Sequence, residues 1–139
     1  MVHSYFAMFI IMMISGLLSS MNVWVDKWDD IRLSLNDIYM SLLMSGWMIF
    51  FMAIINNDYL YIFISLAIIV FSFFLIRNQI FIDEFQYLTG MIPHHSMAVM
   101  MSKALKNKSN TILPLLENII QSQEKEINYM KAKLLSKNY

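Results

Sequence analysis

Three uninterrupted apolar runs dominate the first half of the chain, from about Ser4 to Met21, from Ile38 to Ile55 and from Leu60 to Ile76, and none contains Asp, Glu, Lys, Arg or His. At a rise of about 1.5 Å per residue, helices of about 17 to 18 residues reach the short end of what crosses a hydrocarbon core. Tyr5, Trp24, Trp28, Tyr39, Tyr59 and Tyr61 stand near the ends of these runs, where interfacial aromatics anchor a span, and Arg77 closes the third. The stretch Asn56-Asn57-Asp58 predicts a tight turn that makes the second and third spans an antiparallel pair. The first loop, about residues 22 to 37, holds Asp26, Lys27, Asp29, Asp30, Arg32 and Asp37 and reads as too polar to be buried.

Beyond Arg77 the pattern changes to mixed polar and apolar positions. One helix is expected from about Gln79 to Lys106, with room for a kink at Pro93, followed by a turn over 107–110. A second helix is expected from near Thr111 to about Ser136, with Pro114 in its first turn and an apolar stripe of Leu115, Leu116, Ile119, Ile120, Ile127, Leu134 and Leu135. The predicted fold class is all-α, with three transmembrane helices in a region 1–77 followed by a two-helix antiparallel hairpin domain over 78–139. Two helices bury little by themselves, so the hairpin should pair with the membrane helices or with a second copy. Serines at four-residue spacing, Ser15 with Ser19 and Ser41 with Ser45, offer close helix contacts in the membrane.

Composition narrows the function. Hydrophobic residues make up 58% of 139 residues, with ten basic and ten acidic side chains and no cysteine. Zero net charge excludes a general electrostatic footprint for nucleic acid, and the missing cysteines exclude disulfides, thiolate nucleophiles and Cys-based metal centres. Every lysine and arginine falls on the face shared by the first loop and the carboxyl-terminal part, which predicts a cytoplasmic hairpin by charge bias. No Gly-rich phosphate loop, recognisable Ser or Cys nucleophile motif or His-Glu-x-x-His spacing occurs, so an enzyme is not expected.

The chemistry concentrates in Met91-Ile92-Pro93-His94-His95-Ser96-Met97-Ala98-Val99-Met100-Met101, which holds two of the three histidines among four of fourteen methionines. Imidazole and thioether together suit a soft ion, Cu(I) or Ag(I) before Zn(II). On a helix, His94, Met97 and Met101 form one candidate ligand set and Met91 with His95 another. Glu84 aligns with the second set, and Gln123, Glu126 and Met130 share a face of the opposing helix. The expected function is therefore a small integral membrane protein binding Cu(I) or Ag(I) for metal handling or resistance. The alternative is a structural or accessory subunit whose Met and His side chains are packing; Met97, Met100 and Met101 suit a flexible core equally well. Met40, Met44, Met48 and Met52, with Met8 and Met12, read as polarizable packing before a cation ladder.

Met91-Ile92-Pro93-His94-His95, then Ala98 and Met101, and later Ile119-Ile120, Gln123, Glu126-Ile127 and Met130 resemble the domain of unknown function 305 family. Upstream, His3, Tyr5, Met8, Ser34, Tyr39-Met40, Met44 and Met48 resemble small bacterial membrane proteins with three spans ahead of that domain. The resemblance implies a helical fold, ferritin-like in outline, with copper or silver binding in some members and export in many. It implies His94, His95, Met101, Glu126 and Met130 as the core of the pattern. Glu84 stands where members often have Asp, Tyr87 where they often have Phe, and Gly90 replaces a frequent methionine. The expected partners are the lipid bilayer of a bacterial inner or cytoplasmic membrane and a second copy or another membrane protein.

Overall fold

A computed structural model describes residues 2–136, with side chains from Tyr5 onward, so His3 and Lys137 lie outside the side chains described. The described residues form five α-helices and no strand: α1 Val2–Leu18, α2 Leu35–Ile55, α3 Tyr59–Asn78, α4 Glu84–Lys106 and α5 Leu113–Ser136. Two short 3-10 turns, Met21–Trp24 and Trp28–Asp30, shape the connection between α1 and α2. The chain divides into two compact units, one of 1–20 with 35–82 and the other of 21–34 with 83–139.

In the first unit α2 packs against both α1 and α3. The contacts depend on small side chains, because a helical backbone approaches another closely only where little projects from it. A Cβ on Gly16 would stand 2.6 Å from Ser41 Oγ, and one on Gly46 would stand 2.9 Å from Ile69 Cγ1. Ser41, Ser45, Ser65 and Ser72 are all buried. Their hydroxyls donate to carbonyls of their own helices, those of Asp37, Ser41, Ile62 and Ile68. The serines therefore act by being small and internally satisfied; Ser41 and Ser45 do not hydrogen-bond across helices.

At one end, Tyr5 stacks on Tyr61 with ring centroids 4.1 Å apart and clusters with Ile49 and Ala53. Asn57 takes a left-handed conformation, φ 53°, and Asp58 accepts from the Tyr61 N–H, so the expected turn forms and caps α3. At the other end Tyr39 donates to the carbonyl of Ile80 at 2.7 Å. Three helical stretches, Tyr5–Trp24, Leu35–Ile55 and Tyr59–Asn78, are long and apolar enough to cross a membrane.

The fourth helix starts later than its pattern suggested. Gln79 ends α3 in the left-handed region, φ 48°, and Phe81 also has positive φ, 58°. Asp83 then caps α4 by accepting from the Gln86 N–H. α4 runs through Pro93 without a break, and Asn107 follows it before a short connection to α5. Lys103 meets Glu124, and Lys106 meets Glu117, both at 2.9 Å. The partner number falls as the first rises, which is the register of antiparallel helices. Leu88, Ile92, Val99, Ile127 and Met130 form their shared core.

Replacing Gly16 by Ala should push α1 from α2 and cost about 1 to 3 kcal/mol, the usual range for overpacking. Thermal unfolding of the detergent-purified protein checks this. An unchanged midpoint would mean that the α1–α2 contact tolerates the added methyl.

Candidate functional site

The loop between α1 and α2 is the least expected part of the second unit. It is folded onto α4 and α5, and two of its polar residues are deeply buried, Asp30 at 2% exposure and Ser34 at 5%. The loop is shaped internally by Asn22, whose side-chain amide donates to the Arg32 carbonyl at 2.7 Å and accepts from its N–H at 2.9 Å. These two bonds, to the N–H and the carbonyl of one residue, tie Arg32 back to Asn22 and close the turn between them.

Ser96 of α4 is the junction. Its hydroxyl donates to Asp30 Oδ2 at 2.6 Å and accepts from the Asp26 N–H at 2.8 Å, in a position with no solvent exposure. Lys131 of α5 bridges Asp29 and Asp30, while Lys103 of α4 bridges Asp26 and Glu124. A cavity of about 60 Å³ lies among Asp26, Asp30, Glu124, Asn128 and Lys131. Burial of a carboxylate is costly unless it is matched by charge and hydrogen bonds, and Asp30 has both.

The titration of these groups follows the pairing. The Lys131 hydrogen bond and charge hold the exposed Asp29 carboxyl below its ordinary range. Burial pulls the Lys131 ammonium down, but its hydrogen bonds and charge attraction with Asp29 and Asp30 outweigh this and hold it above the ordinary value. The hydrogen bonds that Lys103 donates to Asp26 and Glu124 likewise raise its pKa. The expectation that this loop is too polar to be buried holds for most of it, Lys27 and Asp29 being exposed; the exceptions are Asp30, buried because Ser96 and Lys131 match its carboxylate, and Ser34.

Gly90 belongs to the same construction. A Cβ there would sit 3.1 Å from Ser34 Oγ. A methionine, frequent at this position in the family resembled, would need Ser34 and the loop to give way.

The His/Met segment behaves differently. His94 is exposed and His95 half-buried, with ring centroids 5.9 Å apart. His95 Nδ1 lies 2.9 Å from Glu126 Oε2, off the line of a good hydrogen bond, so the nitrogen is buried without an aligned partner. Burial lowers the His95 pKa, the Glu126 charge opposes this, and the neighbouring His94 adds to the lowering; the net position is below the ordinary 6.5. Met130 points into the α4–α5 core and Met91 packs beside it. Met97 is half-buried, whereas Met101, Glu84 and Glu126 are exposed.

These placements correct the metal expectation. Among the described residues no group of three or more His, Cys, Asp or Glu side chains comes together to hold a metal ion, and the chain has no cysteine. Neither Cu(I) nor Ag(I) is assigned to the protein, and copper or silver handling is withdrawn as its function. The eight candidates divide by direction: His94 and Met101 to the surface, Met130 into the core, and Glu84 to the first turn of α4. His95 and Glu126 are the pair the structure joins.

Sequence reasoning missed the Asp30–Ser96–Lys131 network. Its visible signal was a loop with three aspartates, Asp26, Asp29 and Asp30, and lysines on both later helices, Lys103 on α4 and Lys131 on α5.

Residues 82–134 match the family described as Domain of unknown function (DUF305). Uncharacterized protein L153 of Acanthamoeba polyphaga mimivirus is 47% identical over 126 residues, covering 86% of this chain and 83% of the viral protein. The chain belongs to the same family as that protein and carries a DUF305 domain in its carboxyl-terminal part. No solved structure matches it.

Two outcomes are expected of these geometries. Asp30→Ala strands the Ser96 hydroxyl and leaves Lys131 with Asp29 alone, and should lower stability by about 3 kcal/mol, measured by thermal or denaturant unfolding in detergent. His95 has a lowered folded pKa, so its contribution is fully present above about pH 6.5 and falls away as the pH drops below that value, where the unfolded chain takes up the proton first. The drop in unfolding midpoint between pH 7.5 and pH 5.5 should be smaller in His95→Gln than in the natural protein. Equal drops would show that His95 is not linked to folding.

Proposed function

We propose that the protein is an integral membrane protein whose α1, α2 and α3 cross the bilayer and whose DUF305 hairpin, clasped by the 21–34 loop, is an extramembrane accessory module without catalytic activity. The observation that carries this reading is the apolar surface that α1–α3 turn outward: Phe6, Leu18, Phe63 and Val70 are each at least 67% exposed. Only lipid or another apolar surface satisfies side chains of that kind along three helices of spanning length.

The second unit supports the crossing of α2 and α3. It is assembled from a segment that follows α1 and one that follows α3. Two such segments share one compact body outside the bilayer when the chain between them crosses an even number of times. Its lysines and arginines, against none in the 56–58 turn, favour the cytoplasmic side. The antiparallel α4–α5 pair supports a ferritin-like outline, to which a second copy would add the remaining two helices. A non-catalytic role is supported by the chemistry of the buried network: Ser96 is inaccessible, and its hydrogen bond goes to a carboxylate already matched by lysine.

Alkaline carbonate should leave the protein in the membrane pellet; release without detergent would remove the spanning reading. With no native cysteine, Tyr59→Cys should react with an impermeant maleimide in intact cells and Lys108→Cys only after permeabilisation. The reverse pattern would invert the orientation, and equal labelling of both would contradict paired crossings by α2 and α3.

A further inference from the structure

We propose that the second unit carries a binding groove for an anionic glycerophospholipid, with Arg32 meeting the phosphate and an apolar floor of Leu33, Phe85, Leu134 and Leu135 taking acyl chain. The inference rests on the membrane reading for its ligand's source. The groove has a volume of about 530 Å³ and is also lined by Asp29, Thr89 and Lys131. That size falls within the ~300–1,000 Å³ of ordinary small-molecule clefts.

Its charges are unequal in availability. Lys131 is held by Asp29 and Asp30, and Asp29 is in turn matched by Lys131. Arg32 forms no salt bridge among the described residues, although its charge acts on the neighbouring Asp29: its Nη1 donates to the carbonyls of Asp29 and Ile31, and no hydrogen bond takes up Nε or Nη2. A guanidinium with an open edge suits the oxygens of a phosphate diester. The Thr89 hydroxyl on the groove wall is buried without a hydrogen-bond partner, a second polar group whose bonding is unmet.

The apolar floor needs a cover as much as the cation needs an anion. Leu33 is 61% exposed and Leu135 84%, yet Leu134 beside them packs on the hairpin core. Leu33 precedes the first residue of α2, a proposed span, by two positions in the sequence. A ligand with an anionic head and an apolar tail, such as a bilayer lipid, fits all of these features; a free phosphate fits only Arg32.

The full chain, purified in mild detergent, would be mixed with micelles doped with equal phosphatidylglycerol and phosphatidylcholine, and the retained lipid read by native mass spectrometry. Phosphatidylglycerol should be retained in preference. Arg32→Gln should lower its retention about five-fold, the scale of one basic residue near an anionic lipid. Leu135→Glu, at a surface position that folding does not need, should lower it as well, and Lys125→Gln, away from the groove, should leave it unchanged. Equal retention of the two lipids, natural retention by Arg32→Gln with a natural helical spectrum, or competition by glycerol phosphate at lipid concentrations would overturn the proposal. Retention with carbonate release would instead overturn the membrane reading and leave the groove standing.

Discussion

The burial of the Asp30 carboxylate between the Ser96 hydroxyl and the Lys131 ammonium is the contact on which the second unit depends. A two-helix hairpin has one seam and little to bury, so α4 and α5 alone would leave much of their inner surface wet. The 21–34 loop supplies a third layer, but it brings aspartates with it. Asp30 is a cost until paired, and the pairing fixes the loop in one position: moving it by a residue would leave the Asp30 carboxylate buried and unmatched. Charge here specifies register more than it adds stability.

That constraint reaches into the sequence of α4. A loop seated this closely needs a small residue where it crosses the helix, and Gly90 provides it opposite Ser34. It needs a hydroxyl that both donates and accepts, and Ser96 does so between Asp30 and the Asp26 amide. The membrane-like unit solves a similar problem without charge. Gly16 faces Ser41 and Gly46 faces Ile69, while buried serines return their hydrogen bonds to their own backbone. Close approach is obtained by small side chains in both units; what differs is how each satisfies polar atoms, by ion pairs in one and by intrahelical bonds in the other.

How much of this was legible in the residues depends on the range of the determining interaction. The three apolar helices, the 56–58 turn and the hairpin are set by runs and periodicities within one window, and the sequence shows them. The start of α4 depended on Asp83 as a cap three residues before Gln86, a local signal that the apolar character of Ile80 and Ile82 obscured. The loop's seating on α4 and α5 depends on pairs separated by 66 residues for Ser96 with Asp30, 77 for Lys103 with Asp26 and 102 for Lys131 with Asp29. No window contains both partners, so each charge alone reads as solvated.

The His/Met cluster illustrates the opposite error, in which neighbours in sequence look like neighbours in a site. His94 and His95 are adjacent, but successive helical residues point about 100° apart, and a seam only a few residues wide selects one of them. His95 is turned toward α5 and meets Glu126, while His94 is left at the surface. Met130 satisfies the core and Met101 does not reach it. A thioether is an apolar filler before it is a donor, so its presence near imidazole acquires meaning only when the side chains converge. Here the fold draws them apart, and the residues that do converge, Asp26, Asp30, Ser96, Lys103, Glu124 and Lys131, are those whose mutual neutralisation holds the loop in place.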